Sequence, residues 1–337
     1  MKKKKAPGSL IYVNDSSEGI YRIGKKENFR YVNKQGKKIN DKQISERIER
    51  LVIPPDWKKV WICRNPNGHI QVTGRDSKGR KQYIYHEKWS EYLSLEKFNS
   101  LELFGEKLPE IRERLSKDLA RKKWDKHKFV ALAIKLMDEA YLRVGNKLYM
   151  EEHGTYGLTT LRKKHLTEDK KQLLLKYTAK NGKLRKVKIS HPTLKRLLKK
   201  CSDLPGYEIF RYKSGGKFVP ITSLDINLYL NEITSEHITA KTFRTWGGSF
   251  FTVKLAPKAR EICRENPRKK LETTLVRLVA KELNNTVAIA RKYYIHPKVL
   301  QFAVEGKTDK FKPSAHNKKL KWYDSEELIV LRILKET

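Results

Sequence analysis

Near residue 91 the apolar residues change from a two-residue to a helical spacing, and that switch confines the chain to a mixed fold. Before it lie short runs of β-formers: "GIYRIG", "FRYVN", "KVWICR", "HIQVTG" and "KQYIYH". The turn signals "NKQGKK", "NPNG" and "DSKGR" separate them. One short helix interrupts the series, "DKQISERIERLVIPP". Its prolines must end it, because proline lacks the amide donor and clashes with the preceding turn.

Beyond the switch, "EKLPEIRERLSKDLAR" and "KFVALAIKLMDEAYLRVG" carry helical periodicity. In the second, Val130, Ile134, Met137 and Tyr141 share one face, and Gly145 is placed to stop the helix just past Arg143. "YGLTTLRKKHLT" and "KQLLLKYTAKNGKLRKVKIS" are expected as strands, the latter folding into a hairpin about Asn181-Gly182. Helical patterns return in "HPTLKRLLKKC", "DINLYLNEI", "TAKTFRTWGGSFFTVKLA" and "LETTLVRLVAKELNN". Val276, Val279, Ala280 and Leu283 form an apolar stripe on the last. The expected class is α+β. A small β-rich domain over residues 1–90 precedes a larger, mainly helical domain over residues 91–337 that contains a small antiparallel sheet.

Charge narrows what such a body can do. Lys and Arg number 75 against 38 Asp and Glu, a net +37 at pH 7, and the excess runs along the whole chain. A folded protein with that potential attracts polyanions, nucleic acid foremost, although a generically basic ribosomal-type protein has the same balance. No run of apolar residues is long enough to cross a membrane, and no long basic amphipathic helix is free of acidic residues, so membrane is not an expected partner. Cys63, Cys201 and Cys263 form no CxxC pair, which points to a reducing compartment and away from a cysteine zinc site. "MKKKKAPGSL" has no apolar stretch after its lysines and reads as a mobile basic arm, not a secretory signal. Neither GxxxxGK[ST] nor HExxH occurs, so neither ATP nor zinc is suggested.

Among so many cations the adjacent tyrosines of "NNTVAIARKYYIHPKVL" raise a chemical question. A phenol of pKa near 10 is a poor nucleophile at neutral pH, and neighbouring guanidiniums favour its anion. The same guanidiniums stabilise the charge that builds on a phosphoryl centre under attack. Arginine suits this role better than lysine because its planar fork grips two phosphate oxygens. A departing sugar oxygen needs a proton, which a lysine among other cations can supply. A tyrosine that cleaves DNA covalently should therefore come with two arginines and a lysine. Arg143 precedes a glycine turn, and Lys180 sits at the hairpin tip. Arg244 lies on a helix with Thr239 as a possible N-cap and Gly247-Gly248 ending it. Taken singly, each is equally a solvated surface charge.

Together, "RVGNKLYMEEHGTYGLTTLRKKHL", "KYTAKNG", "DINLYLNEITSEHITAKTFRTWGG" and "NNTVAIARKYYIHP" resemble the small type IB DNA topoisomerases of bacteria and poxviruses. "IPPDWKKVWICRNPNGHIQVTGRDSKGRKQYIYH" is similar to that family's N-terminal domain, and the likeness runs in order from about residue 18 nearly to the end. The resemblance implies a catalytic domain of the topoisomerase IB and tyrosine recombinase fold, with an N-terminal domain that clamps DNA. It gives Arg143 and Arg244 the scissile phosphate, Lys180 the role of general acid to the 5′-oxygen, and Tyr294 that of nucleophile in a 3′-phosphotyrosyl link. Tyr293 then supports or packs. Gln82, Tyr83, Tyr85, Tyr149 and Lys241 match DNA-contacting positions.

Two departures stand out. Asn285 occupies the place where the viral enzymes carry a phosphate-binding histidine, and Val287 stands where proline is common. Asparagine can donate the same hydrogen bond but cannot become cationic, so its help should not vary between pH 5 and 8. An N-terminal cap for the last active-site helix is the other reading of Asn285.

The activity implied is relaxation of supercoiled duplex DNA by a monomeric clamp, through strand cleavage, rotation and resealing, with neither ATP nor an obligatory metal. It places the protein at a bacterial nucleoid or a viral replication site. The rivals are a tyrosine site-specific recombinase and a non-catalytic basic DNA-binding protein. Recombinases usually carry a histidine two residues before the second arginine, where Thr242 stands here.

Overall fold

The computed structural model describes residues 8–25, 28–169, 172–312 and 321–336, apart from the side chains of residues 94, 95 and 97. The expected basic arm at Lys2–Lys5 lies outside the described residues. The chain divides into two compact units, residues 1–97 and 98–337.

In the first unit β1 (Gly19–Ile23), β2 (Arg30–Val32), β3 (Lys58–Cys63), β4 (Ile70–Arg75) and β5 (Lys81–Tyr85) form one antiparallel sheet in the order β2-β1-β3-β4-β5. Ile20, Val60, Ile62 and Val72 make its core, with Ile48 from α1 (Lys42–Arg50) laid on them. Asp41 caps α1 by accepting from the Ile44 amide. The turn after α1 is fixed by Arg22, whose guanidinium donates to the carbonyls of Ile53, Pro54 and Trp57.

Helix α2 (Glu87–Ala120) begins in the first unit and continues in the second, with Pro109 inside it. Then come α3 (Lys126–Ala140), α4 (Lys147–His153) and a three-stranded antiparallel sheet of β6 (Leu166–Asp169), β7 (Gln172–Thr178) and β8 (Leu184–Ile189). After α5 (Pro192–Asp203), β9 (Arg211–Ser214) and β10 (Lys217–Pro220) form a separate hairpin. The remaining elements are α6 (Ser223–Thr234), α7 (Ala240–Glu265), α8 (Leu271–Glu282), α9 (Val287–Tyr293), α10 (Pro297–Glu305) and α11 (Ser325–Lys335). The main core joins Phe104 and Leu108 of α2, Phe129 and Leu136 of α3, and Phe243 and Trp246 of α7. A second core gathers Tyr141, Phe250, Leu275, Val279, Ala290 and Ile295 around α7 to α10.

One buried ionic network ties this body together. The Arg112 guanidinium is bidentate to Asp138 and also donates to Glu327, whose carboxylate accepts from the Trp246 indole. Two carboxylates on one buried guanidinium raise its pKa above the ordinary arginine value in spite of its burial.

Three local expectations are corrected. "YGLTTLRKKHLT" is not a strand until Leu166; before that it makes two 3₁₀ turns, Leu158–Thr160 and Lys163–His165. The helix expected to stop at Gly145 ends at Ala140, because Tyr141 adopts the left-handed conformation as C-cap (φ 49°). Gly247-Gly248 does not terminate α7, which runs on through Pro257 to Glu265. Burial among large side chains overrides glycine's poor helix propensity there.

Candidate active site

Two helix ends build the site. α8 closes in a Schellman motif: Asn284 takes the left-handed conformation (φ 51°) and its amide donates to the Lys281 carbonyl, while the Asn285 amide donates to the Ala280 carbonyl. The next three carbonyls are left without backbone partners by this geometry, and each accepts from an arginine. Arg185 donates to Glu282 at 2.7 Å, Arg244 to Leu283 at 2.8 Å and Arg143 to Asn284 at 3.4 Å. The end of α3 is treated in the same way: Arg185 donates to the Ala140 carbonyl at 3.2 Å and Arg244 to the Tyr141 carbonyl. A helix C-terminus carries partial negative charge, so these ends favour the guanidiniums that converge on them.

Arg143 lies in the loop after α3, held because its carbonyl and that of Val144 accept from Leu158 and Thr159 at 2.8 and 2.7 Å. Its guanidinium also donates to the Asn285 side-chain oxygen. Arg244 is only 4% exposed and sits over the Tyr294 ring, 5.1 Å from its centroid. Burial, and then the charge of Arg143, push the Arg244 pKa down to about 10, with the Tyr294 phenol acting the other way. It is therefore still cationic at neutral pH.

Tyr294 is the C-cap of α9, and its backbone lies against α7 at Gly248. A Cβ on Gly248 would come within 2.1 Å of the Tyr294 carbonyl oxygen, and one on Gly247 within 2.4 Å of the Tyr141 ring. The glycine pair thus serves close approach of both tyrosines. Tyr293 is 40% exposed, with the Lys292 ammonium 5.6 Å from its ring centroid.

Asn285 does not cap the last site helix. Thr286 does, accepting from the Ile289 amide. The side-chain nitrogens of Asn284 and Asn285 and the Arg244 Nε are buried and have no partner among the described residues. Buried donors of this kind cost free energy unless something accepts from them, and an oxyanion would.

Lys180 is exposed at the β7–β8 turn, where Asn181 and Gly182 both have positive φ (64° and 73°) as the hairpin motif requires. Lys241, one turn before Arg244, is exposed, and so is Tyr149 on α4. In the first unit Tyr83 and Tyr85 project together from edge strand β5, stacked with centroids 5.7 Å apart. Gln82 points to the other face and donates to Asp76. His237 is exposed.

The sequence reading missed Arg185, Tyr177 and Asn284. Tyr177 is buried on β7 near Arg185, Arg244 and Arg143, although burial still raises its pKa. A signal for Arg185 was present: on β8 it shares the inward set with Val187 and Ile189. An arginine at an apolar-phase position needs acceptors. Among the described residues no group of His, Cys, Asp and Glu could hold a metal ion, and no helix is long and apolar enough to cross a membrane.

A tyrosine set under the buried Arg244, with Arg143 on the same helix end, is an arrangement compatible with a strand-transferring enzyme, and comparison with known families gives the class. The catalytic core of eukaryotic DNA topoisomerase I matches residues 86–320, and the N-terminal domain of bacterial DNA topoisomerase IB matches residues 28–76. The chain belongs to the type IB DNA topoisomerases, enzymes that relax DNA. DNA topoisomerase 1B of Acanthamoeba polyphaga mimivirus is 30% identical over 313 residues, covering 87% of this chain and 91% of that protein. DNA topoisomerase 1B of vaccinia virus is 22% identical over 68% of this chain and 70% of its own. DNA topoisomerase 1 of rabbit fibroma virus is also 22% identical, over 80% and 88%.

Proposed function

We propose that this topoisomerase works as a monomeric clamp on supercoiled duplex DNA, with Tyr294 as nucleophile. The phenol oxygen gives up its proton to solvent and bonds to phosphorus as the P–O5′ bond breaks. That leaves a 3′-phosphotyrosyl link and a strand end that rotates. Arg143 and Arg244 hold the non-bridging oxygens, and the Asn285 amide donates a further hydrogen bond. Lys180 protonates the leaving 5′-oxygen. Return of that oxygen to phosphorus breaks the phosphotyrosyl bond, releases Tyr294 and reseals the strand. One ester replaces another of similar energy, so supercoil strain drives the cycle without ATP, and no metal is required.

The observation that carries this reading is the Arg244 guanidinium over the Tyr294 ring, with Arg143 on the same helix end. The side-chain nitrogen of Asn285, without a partner among the described residues, adds a donor suited to a phosphate. Tyr83, Tyr85 and the exposed Tyr149 and Lys241 supply duplex contacts in the clamp, with Gln82 turning from Asp76 to reach a base edge. The test is relaxation of supercoiled plasmid in chelator and without ATP, comparing the native enzyme with Tyr294→Phe. The variant should bind duplex DNA normally and leave the plasmid supercoiled, with no covalent adduct. Relaxation at the native rate would remove Tyr294 from the chemistry.

A further inference from the structure

Arg185 has no part in the roles assigned above, yet it is the third arginine on the two helix ends that position the site. Its cross-strand partner is Tyr177, whose ring is buried near Arg143 and Arg244. From that pair the hairpin continues to a turn closed by Ala179 donating to Lys183 at 2.8 Å, and Lys180 stands in this turn. Arg185 reaches back from the hairpin to Ala140 and Glu282. Arg244 binds the very next carbonyls, Tyr141 and Leu283. The two guanidiniums are successive rungs between the ends of α3 and α8: one belongs to the helix beneath the nucleophile, the other to the hairpin. A further tie, the Tyr156 amide to the Thr178 carbonyl, joins the opposite strand to the loop after α4 rather than to the helix ends.

We propose that Arg185 is a positioning residue that holds the Lys180 hairpin in register with the Arg143–Arg244 pair, so that the turn presents its ammonium to the leaving oxygen. The proposal rests on the general-acid role of Lys180. Several features favour function over simple packing. Burial lowers the Arg185 pKa, so the fold keeps a guanidinium where its desolvation is costly. The Glu282 charge offsets only part of that cost, and among the described residues the guanidinium donates only to carbonyls, both at helix ends whose next carbonyls orient Arg244. Its planar fork spans two acceptors at once, which a lysine cannot do. Loss of the rung leaves the hairpin paired through β7 and β8 but frees its angle to the site. A misplacement of about 1 Å is enough to cost roughly 100-fold in rate where proton transfer depends on reach.

The test uses single-turnover cleavage of two duplexes, one with the natural 5′-oxygen at the scissile bond and one with a 5′-sulfur, which leaves without a proton. Arg185→Ala should slow cleavage of the oxygen substrate by about 10- to 100-fold, a partial loss of a general-acid contribution that is typically about 10²- to 10⁴-fold. It should cleave the sulfur substrate close to the native rate. Adding it to Lys180→Ala should produce little further loss. The ratio of sulfur to oxygen rates within one preparation cancels any inactive fraction, and Arg185→Lys supplies a milder variant if Arg185→Ala folds poorly. An unchanged ratio in both variants overturns the proposal, whether or not they are slow. If Lys180→Ala itself shows no sulfur rescue, the general-acid reading fails first, and that outcome is distinct from rescue of Lys180→Ala without rescue of Arg185→Ala.

Discussion

A histidine beneath the site shows how one side chain couples this fold to pH. His165 is 6% exposed, its ring 4.3 Å from that of Tyr156 and 6.2 Å from that of Tyr177, and its Nδ1 accepts from the Arg162 amide. Burial, then the charges of Lys164 and Arg162, push its pKa down to about 4 from an ordinary 6.5. Between those values the unfolded chain holds the proton and the folded chain does not. Stability from the neutral ring is therefore complete above pH 6.5 and is lost as pH falls toward 4. Thermal unfolding at pH 7 and 4.5 should show a smaller decline for His165→Gln than for the native enzyme. Equal declines would mean that this ring carries no pH dependence. Nothing in the sequence marked His165 as buried: its stretch was expected as a strand, and two lysines precede it. The residues proposed for the chemistry were picked out in different ways: Arg143, Lys180, Arg244 and Tyr294 came from motif resemblance, while Asn285 was left open between donor and cap. Thr286 took the capping role, a choice between adjacent side chains that spacing does not decide.

Elements were legible where their period was strong. All five strands of the first sheet, α1 and the Asn181-Gly182 hairpin follow from alternation and turn chemistry. Boundaries failed where tertiary contacts outweigh local preference. Gly247-Gly248, expected to end its helix, lies in the middle of α7, and Pro257 sits further along the same helix. The short hairpin β9–β10 passed unnoticed because "RYKSGGKFVP" has only four residues on each side of its glycines. The glycine pair yields an element-scale prediction. In an exposed helix, Gly→Ala gains about 1 kcal/mol in propensity. At Gly248 the added methyl meets the Tyr294 carbonyl carbon at 2.6 Å and its Cβ at 3.0 Å, and backbone is not free to swing aside. Overpacking of that kind costs about 1–3 kcal/mol, so α7 and α9 must separate. Gly248→Ala should cut single-turnover cleavage by roughly 10-fold or more through displacement of Tyr294, while duplex affinity stays near native. Native-rate cleavage by this variant would show that the α7–α9 approach does not set the nucleophile's position.

At the scale of the whole molecule, charge speaks before any motif does. The +37 is distributed over both compact units, and ion pairs leave much of it in excess, because Lys and Arg outnumber Asp and Glu about two to one. Neither α+β class nor the division near residue 97 depends on that charge. The fold follows from apolar periodicity, while the charge determines what the surface meets. Its consequence is thermodynamic. Each phosphate neutralised by a lysine or arginine releases condensed counterions, so the logarithm of affinity should fall linearly with the logarithm of salt, by about 0.9 per contact on B-form duplex. A protein that closes on duplex through two basic units should make on the order of 6–10 such contacts. Affinity for an unspecific duplex should then drop about 10³- to 10⁵-fold between 50 and 200 mM salt. If Tyr294 is the nucleophile proposed above, Tyr294→Phe is the right protein for the measurement, since it should bind without trapping a covalent adduct. A slope of only one or two contacts would mean that the excess charge faces away from DNA, and that closure of both units on the duplex is not how this enzyme holds its substrate.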